Sequence, residues 1–183
     1  MNLYLRLLTL WLRRRARPAV SPLAPSRLRL RVWPNDLDLF GHMNNGRYLT
    51  VMDLGRLDIV LGSGLLKVMR RRRWYAVAAT VEIQFLRPLK LWRRYCLTTE
   101  ILDWDEFWFV FEQRFDVADK PAARALVRAQ FRHERDPVAT AEVFAAAGWN
   151  NPRPPGGGKL VESLRVATEL TASASMPGSA AGR

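Results

Sequence analysis

The residues best placed to do chemistry lie together in one short stretch, NDLDLFGHMNNGRY, at positions 35–48. The stretch holds two carboxylates, Asp36 and Asp38, and one of the two histidines of the chain, His42. A carboxylate or an imidazole beside a bound substrate can act as a general base or as a nucleophile. An aspartate in a loop also commonly accepts hydrogen bonds from its own backbone. The residue types alone therefore leave a catalytic and a structural interpretation open.

Few other reactive groups compete with this stretch. Cys96 is the only cysteine and lies within a strand-like pattern, and no G-x-S-x-G motif is present for serine chemistry. His42, His133 and Cys96 do not have the spacing of metal ligands. We therefore expect neither a metal site nor a cofactor. A single cysteine also fits a reducing compartment, so we expect a cytoplasmic protein.

The segments around the stretch predict an α+β domain that holds it between a strand and a helix. Residues 28–33 place two leucines and a valine on one side and end before Pro34, which predicts a first strand. Residues 48–61 contain no proline, are apolar on most sides and predict a buried helix. Four further alternating runs predict antiparallel strands at 75–85, 95–101, 107–115 and 123–131. A short helix is expected at 140–147, followed by Gly148.

The chain divides into three parts by composition. Residues 26–150 predict one domain, large enough to bury its own core. Residues 1–25 form a basic amphipathic segment, and residues 151–183 are rich in Pro, Gly, Ala and Ser and are expected to be disordered. Eight arginines and no acidic residue lie in residues 1–31, so this part supplies most of the net charge of +12. Because the domain itself is close to neutral, nucleic-acid binding is the least supported class of function.

The first fifteen residues, MNLYLRLLTLWLRRR, predict an amphipathic helix that is too short to span a bilayer. Leu3, Leu7, Leu10 and Trp11 recur at helical spacing and would share one face, and three arginines follow at 13–15. Such a helix can lie on an anionic surface, which would place the protein in peripheral contact with the inner face of the membrane. It can equally pack on its own domain or on a partner subunit. Both interpretations stay open at this point.

The order of these elements, together with three motifs, resembles the hotdog-fold thioesterases of the 4-hydroxybenzoyl-CoA thioesterase group. The motifs are NDLDLFGHMNNGRY at 35–48, VEIQFLRPL at 81–89 and LDWDE at 102–106, and the resemblance runs from Arg29 to Trp149. It is strongest to the thioesterase superfamily member 6 proteins, which also have a basic, apolar N-terminus. The resemblance implies an antiparallel sheet wrapped around one long buried helix. It also implies an enzyme of lipid metabolism that hydrolyses an acyl-CoA or acyl-ACP thioester as a homodimer or homotetramer.

The resemblance also assigns roles to individual loop residues. In hydroxybenzoyl-CoA thioesterases the catalytic carboxylate stands three residues before the loop glycine, and these two positions are Asp38 and Gly41 here. His42 matches the histidine of the D-x-N-x-H run in plant acyl-ACP thioesterases, although Phe40 replaces the asparagine of that run. Asp38 and His42 are therefore the predicted catalytic residues. The residues predicted to bind substrate are Gly41, Met43, Asn44, Asn45 and Tyr48.

The loop suits thioester chemistry because it leads into the N-terminus of the predicted helix. Backbone N–H groups there can stabilise the negative charge that develops on a carbonyl oxygen during attack. Gly41 would let the backbone approach the ligand, and Asn44 or Asn45 could cap the helix. Asp38 could then act as the base for a water molecule or as a nucleophile, and the sequence does not separate these two roles.

Two other functions compete with hydrolysis. Hotdog hydratases resemble this chain in fold, but their D-x-N-P-x-H motif places Asp and His five positions apart. Asp38 and His42 are four positions apart with no proline between them, which disfavours a hydratase. A non-catalytic acyl-binding or membrane-associated hotdog protein is the second alternative, supported by the basic N-terminus and by Phe40. The basic run at 70–73 could bind the phosphates of CoA or lipid headgroups, or simply form a solvated surface.

Overall fold

Five long strands form one antiparallel sheet in the computed structural model, which describes residues 3–15, 18–150 and 152–164. The strands are β1 (Ser26–Arg31), β2 (Trp74–Phe85), β3 (Arg94–Trp104), β4 (Phe109–Val117) and β5 (Lys120–His133). They lie in the order β1-β3-β4-β5-β2, and a two-residue strand, β6 (Asp136–Pro137), pairs with the end of β5. Within the described residues, β1 and β2 are therefore the edges of the sheet.

One long helix packs against this sheet, and shorter helices complete the fold. The helices are α1 (Leu3–Arg15), α2 (Asn45–Gly62), α3 (Leu65–Arg72) and α4 (Thr140–Ala146). The long helix α2 approaches the sheet so closely that a Cβ atom at Gly55 would lie 2.1 Å from the Thr99 hydroxyl. Beside this contact, the buried Gln113 amide donates to the Met52 carbonyl and to Thr99, both at 2.8 Å. The predicted α+β hotdog architecture, a sheet wrapped on one long buried helix, is confirmed.

Several element boundaries differ from those that the sequence predicts. The helix α2 begins at Asn45 rather than at Tyr48, because the residue before it provides a cap. The sequence predicts no helix at α3, whose first residue, Leu65, follows Gly64 in a left-handed conformation with a φ of +75°. A bulge at 78–80 interrupts the alternation of β2. The side chains predicted to share one face of β2 therefore change face along the strand.

Part of the C-terminal segment lies on the domain. At 152–164, a turn and a helical turn follow α4. The N–H groups of Gly158 and Leu160 donate to the buried carboxylate of Asp103 at 3.1 and 3.0 Å. This part of the segment is therefore hydrogen-bonded to the domain. The other residues of the segment expected to be disordered, including 165–183, lie outside the described residues.

Helix α1 packs on the domain with the face that contains Leu10. Only 6% of Leu10 is exposed, and Leu3 and Leu7 on the same face are half-buried. The side of α1 that contains Leu10 therefore packs on the chain's own domain, and membrane contact of residues 1–15 stays a prediction. Trp11 lies outside the buried face. Among the described residues, no helix is long and apolar enough to cross a membrane.

Candidate active site

The loop between β1 and α2 is a compact turn that hydrogen bonds hold at both ends. It begins with a short 3-10 helix at Pro34–Asp36. The N–H of Asp38 then donates to the carbonyl of His42 at 2.8 Å. The N–H of Met43 donates to the carbonyl of Leu89 at 2.8 Å, in the connection that follows β2. These bonds place the loop beside both the N-terminus of α2 and the C-terminal end of β2.

The carboxylate of Asp38 is half-buried, and its two oxygens have different surroundings. Its Oδ1 atom accepts the backbone N–H groups of Phe40 at 2.9 Å and of His42 at 3.1 Å. Its Oδ2 atom has no hydrogen bond to any residue that the structure describes. One oxygen therefore shapes the loop, and the other is available to a ligand. The structural and the catalytic interpretations of this residue are compatible.

Asp36 lies two positions earlier, and 0% of this residue is exposed. Its Oδ2 atom accepts hydrogen bonds from the Arg6 guanidinium of α1 and from the Trp33 N–H, the latter at 3.0 Å. Its Oδ1 atom accepts Nε and Nη2 of Arg47 at 3.2 and 3.0 Å. A carboxylate that is fully buried between two guanidinium groups has no access to a substrate. Asp36 therefore has a structural role.

Buried polar side chains surround the Asp36 carboxylate. The Tyr95 hydroxyl and the Nε and Nη1 atoms of Arg6 have no hydrogen-bond partner among the described residues. Burial is the main cause that raises the pKa of Tyr95 above its ordinary value, and the nearby Arg6 acts in the opposite direction. Burial also raises the pKa of Tyr48, against a hydrogen bond with the Leu89 backbone. Both hydroxyls therefore stay protonated at neutral pH, and neither can act as a base.

The N-terminus of α2 follows the loop directly. Asn44 caps this helix, because its Oδ1 atom accepts the Gly46 N–H at 2.8 Å and its own N–H donates to the Asp36 carbonyl at 2.8 Å. Asn45 is the first residue of the helix and is exposed. Gly41 has a φ of +75°, and the space where its Cβ atom would lie is open. Glycine therefore suits this position through its backbone conformation, and it also leaves the surface beside Asp38 uncovered.

The remaining predicted site residues lie at different depths. His42 is half-buried in the same loop, and its side chain makes no hydrogen bond within the part of the chain that the structure describes. Met43 and Tyr48 are buried in the core. The Tyr48 ring packs edge-on against Phe85, with the ring centres 5.1 Å apart. Met43 and Tyr48 therefore support the loop from beneath.

A separate apolar cavity of about 240 Å³ lies between the helices and the sheet. It is bordered by the C-terminal half of α2, by α3 and α4, and by residues 76–78 of β2. The charged residues in its lining are Asp53 and Arg56, which form an ion pair. Asp53 follows the start of α2 at Asn45 by eight residues, a distance of about 12 Å along a helix. The cavity and Asp38 therefore lie near opposite ends of α2 within one chain.

The sequence did not predict this cavity, because the cavity depends on α3. The glycines before Leu65 indicate the end of the helical region. The residues that follow are therefore interpreted as a basic run and not as a helix. A signal was nevertheless present, since Leu65, Leu66 and Met69 have helical spacing and all line the cavity. Within the described residues, no group of His, Cys, Asp and Glu side chains could hold a metal ion.

Comparison with known proteins shows the family of this chain. Residues 32–148, more than half of the sequence, match the profile of the thioesterase-like superfamily. The chain belongs to this superfamily. Protein THEM6 of Xenopus laevis is 40% identical over 84 residues, which are 46% of this chain and 41% of that protein. The chain spans less than half of the length of the curated relatives that it matches.

Solved structures of thioesterases share the fold of this member of the superfamily. A probable thioesterase from Bartonella henselae has a TM-score of 0.59 at 23% identity, over 63% of this chain and 98% of that one. A thioesterase from Thermus thermophilus, solved in complex with coenzyme A and Zn, has a TM-score of 0.57 at 23% identity, over 69% and 95% of the two chains. Likeness at this level of identity shows the hotdog fold alone.

Proposed function

We propose that this protein hydrolyses the thioester of an acyl-CoA or an acyl-ACP to a free acid and a thiol. The observation that carries the proposal is the Asp38 carboxylate, whose Oδ2 atom has no partner among the described residues, in a loop that leads into the N-terminus of α2. Membership of the thioesterase-like superfamily supports thioester hydrolysis in general. The Thermus thermophilus structure contains coenzyme A, which favours CoA as the carrier.

In the proposed reaction, a nucleophile attacks the carbonyl carbon of the thioester and negative charge develops on the carbonyl oxygen. The N–H groups at the N-terminus of α2 stabilise that charge. Asp38 either takes a proton from the attacking water or attacks the carbonyl itself, forming an anhydride that water then hydrolyses. In both routes the C–S bond breaks, and the thiolate leaves and is protonated. Gly41, which has no side chain, leaves room for the thioester beside Asp38.

The other predicted site residues receive roles that follow from their positions. His42 lies in the same loop and Asn45 is exposed at the start of α2, so we assign both to contact with the substrate. Asn44 acts as the cap of α2 and so positions the helix N–H groups. Met43 and Tyr48 act from the core, by holding the loop in place.

A dimer would bring the loop and the cavity together. Along the edge strand β2, the exposed large apolar side chains are Tyr75, Val81 and Phe85. A long exposed edge is most simply covered by pairing with a second copy of the chain. The loop lies beside the C-terminal end of β2, through the bond to Leu89, whereas the cavity borders residues 76–78 near its start. In an antiparallel pair of β2 strands, the end of one strand lies beside the start of the other. The loop of one protomer would then face the cavity of its partner.

In that arrangement the cavity receives the acyl group. Its lining is largely apolar and includes Leu57, Val60, Leu66, Met69 and Phe131. Because ligand sites usually have about 300–1,000 Å³, a cavity of 240 Å³ suits a compact apolar acyl group, with the carrier outside. Arg70, Arg71 and Arg73 are exposed at the end of α3, and none has an ion pair among the described residues. We assign these three arginines to the phosphates of the carrier.

The reaction is tested with the full chain and a panel of acyl-CoA and acyl-ACP thioesters, by measuring the release of free thiol. We expect turnover of at least one thioester, and we expect Asp38→Asn to lower that turnover by a factor of at least about 10². Circular dichroism checks that the variant is folded. Binding of thioesters without thiol release by the wild-type chain would identify an acyl-binding protein instead. Near-normal turnover by folded Asp38→Asn protein would exclude Asp38 as the catalytic group.

The proposed site, with its loop from one protomer and its cavity from the partner, is tested by complementation between two inactive variants. Asp38→Asn removes the carboxylate, and Leu66→Trp fills the cavity. If each site takes its loop from one protomer and its cavity from the partner, a mixed dimer keeps one intact site, so mixing the two variants restores activity. Light scattering should give at least twice the monomer mass of 21.0 kDa. No recovery from two folded, dimeric variants would place the loop and the cavity of one site in the same chain.

A further inference from the structure

Helix α1 has an apolar face that points away from the domain. The exposed fractions are 75% for Tyr4, 53% for Leu5, 51% for Leu8, 38% for Trp11 and 54% for Leu12. These positions recur three or four residues apart, so the side chains lie along one side of the helix. We refer to these five side chains as the outward face. Grouped exposed apolar side chains of this kind mark a surface that contacts something else.

Two ion pairs prevent α1 from turning this face inward. Arg6 donates to the buried carboxylate of Asp36, and Arg14 donates from Nε and Nη2 to the two oxygens of Asp58, at 2.6 Å each. Leu10 is buried on the same side of the helix. Rotation of the helix would leave two buried carboxylates without their partners, which is strongly unfavourable. The outward face is therefore a fixed part of the protein surface.

Exposed arginines lie at the C-terminal end of the outward face. Arg15 continues the face there, and its guanidinium lies 4.3 Å from the centre of the Trp11 ring. Arg13 lies in the same last turn of α1. Both arginines are exposed, and neither forms an ion pair with another residue that the structure describes. This end of the outward face therefore has positive charge that no described residue neutralises.

We propose that α1 docks on an anionic lipid bilayer, with the outward face in the headgroup region and Arg13 and Arg15 against lipid phosphates. A helix with an apolar face and a basic border binds such a surface by burying apolar area and by electrostatic attraction. Trp11 and Tyr4 suit this depth, because each has an apolar ring and a polar group. The proposal does not depend on thioester hydrolysis, since the outward face contains no residue of the catalytic loop.

A bilayer fits this surface better than a second copy of the chain does. Contact between two copies through the same face would be symmetric, so each α1 would meet only another α1. Because α1 contains no acidic residue, such a contact offers its arginines no carboxylate. An anionic bilayer instead has negatively charged headgroups above an apolar interior. It therefore matches both the arginines and the apolar side chains of this surface.

Sedimentation of the full chain with lipid vesicles tests the proposal. We compare vesicles of phosphatidylcholine alone with vesicles that also contain phosphatidylglycerol. The partition coefficient should be at least about tenfold larger on the anionic vesicles, and it should fall as salt is added, because salt screens exposed charges.

Matched variants locate the contact on α1. Leu5→Gln combined with Leu8→Gln removes apolar area from the outward face and should lower the partition coefficient at least about tenfold. Arg13→Gln combined with Arg15→Gln should lower it about fivefold for each arginine. Leu86→Gln changes an exposed leucine directly after β2, the sheet edge opposite β1, and should leave the partition coefficient unchanged.

Three results would overturn the proposal. The first is a wild-type chain that does not bind anionic vesicles, and the second is binding that the Leu5→Gln and Leu8→Gln pair leaves intact. The third is conversion of an oligomer to a monomer by that pair in light scattering, because the outward face would then be a subunit interface. Circular dichroism checks the fold, and the arginine pair provides a second variant that changes no apolar side chain. Since no substrate is present, failure here is separate from failure of the proposed hydrolysis.

Discussion

Asp36 and Asp38 are two carboxylates of one loop, separated by a single residue, yet the fold gives them opposite surroundings. Asp36 is fully buried and is bonded to two guanidinium groups. Asp38 is half-buried, has one oxygen in the turn and has the other oxygen free of protein partners among the described residues. The comparison teaches that residue type and motif do not assign a role. Burial and partners assign it.

The two carboxylates also differ in what they connect. Asp36 joins its own loop to two helices, because Arg6 comes from α1 and Arg47 comes from α2, whose cap Asn44 donates its N–H to the Asp36 carbonyl. Among the residues that the structure describes, Asp38 bonds only within its own loop. We therefore expect changes at Asp36 to act mainly on stability and changes at Asp38 to act mainly on turnover.

The largest expected effect is on stability, from Asp36→Ala. This change leaves the buried Arg6 and the part-buried Arg47 without their carboxylate, and breaking a buried ion pair in this way costs about 3–5 kcal/mol. Urea unfolding followed by circular dichroism measures the free energy of unfolding. The matched control is Asp38→Ala, for which we expect about 1–2 kcal/mol from the lost turn bonds. Equal losses of stability at the two positions would contradict the division of roles.

The next effect is on turnover, and a pair of variants at Asp38 separates charge from turn geometry. Asp38→Asn keeps an oxygen that can accept the N–H groups of Phe40 and His42, whereas Asp38→Ala keeps none. We expect both variants to lose a factor of at least about 10² in kcat, because both lack the charge. The Asn variant should retain more stability than the Ala variant. If Asn restored turnover as well as stability, the carboxylate would serve the loop alone.

The smallest expected effect is on the free energy of unfolding at alkaline pH, through the two tyrosines that are buried near Asp36. Burial raises the pKa of Tyr95 and of Tyr48 in the folded chain, so the unfolded chain loses these protons first. Their contribution to stability is complete below the ordinary tyrosine pKa of 10.0 and decreases as the pH rises above it, by at most about 1.4 kcal/mol per pH unit for each residue. Unfolding measured across this range should become less pH-dependent in Tyr95→Phe. A slope identical to that of the wild type would show that the Tyr95 hydroxyl ionises in the folded state.

Much of the architecture was visible in local sequence patterns. Alternation with a period of two predicted the strands, and the apolar run after the loop predicted the long buried helix, because each pattern repeats with the geometry of its own element. The helix α3 was not predicted, because two glycines close to Leu65 indicate the end of a helix. In the structure, Gly64 adopts a left-handed backbone conformation and a new helix follows it. The bulge at 78–80 was missed because an extra residue in a strand leaves no local composition signal.

Some features of the candidate site could be predicted from neighbouring residues, and others depend on contacts between residues that are far apart in the sequence. The cap at Asn44 and the left-handed turn at Gly41 follow from residue type, since few other residues serve those positions as well. The pairing of Asp36 with Arg6 was not predictable, because thirty residues separate them and nothing in either segment specifies the other. The cavity was unpredictable for the same reason, since its walls come from helices and strands far apart in the chain.

The sequence by itself determined which segments form strands and helices and where the reactive loop lies, because those features depend on neighbours within a few residues. It also showed that α1 would be amphipathic, with arginines at its end. Only the tertiary structure decided that Leu10 faces the domain while Leu8 faces outward, and that Asp36 is buried while one Asp38 oxygen has no partner among the described residues. The physical reason is that burial and ion pairing are properties of contacts between distant segments, which no local pattern contains.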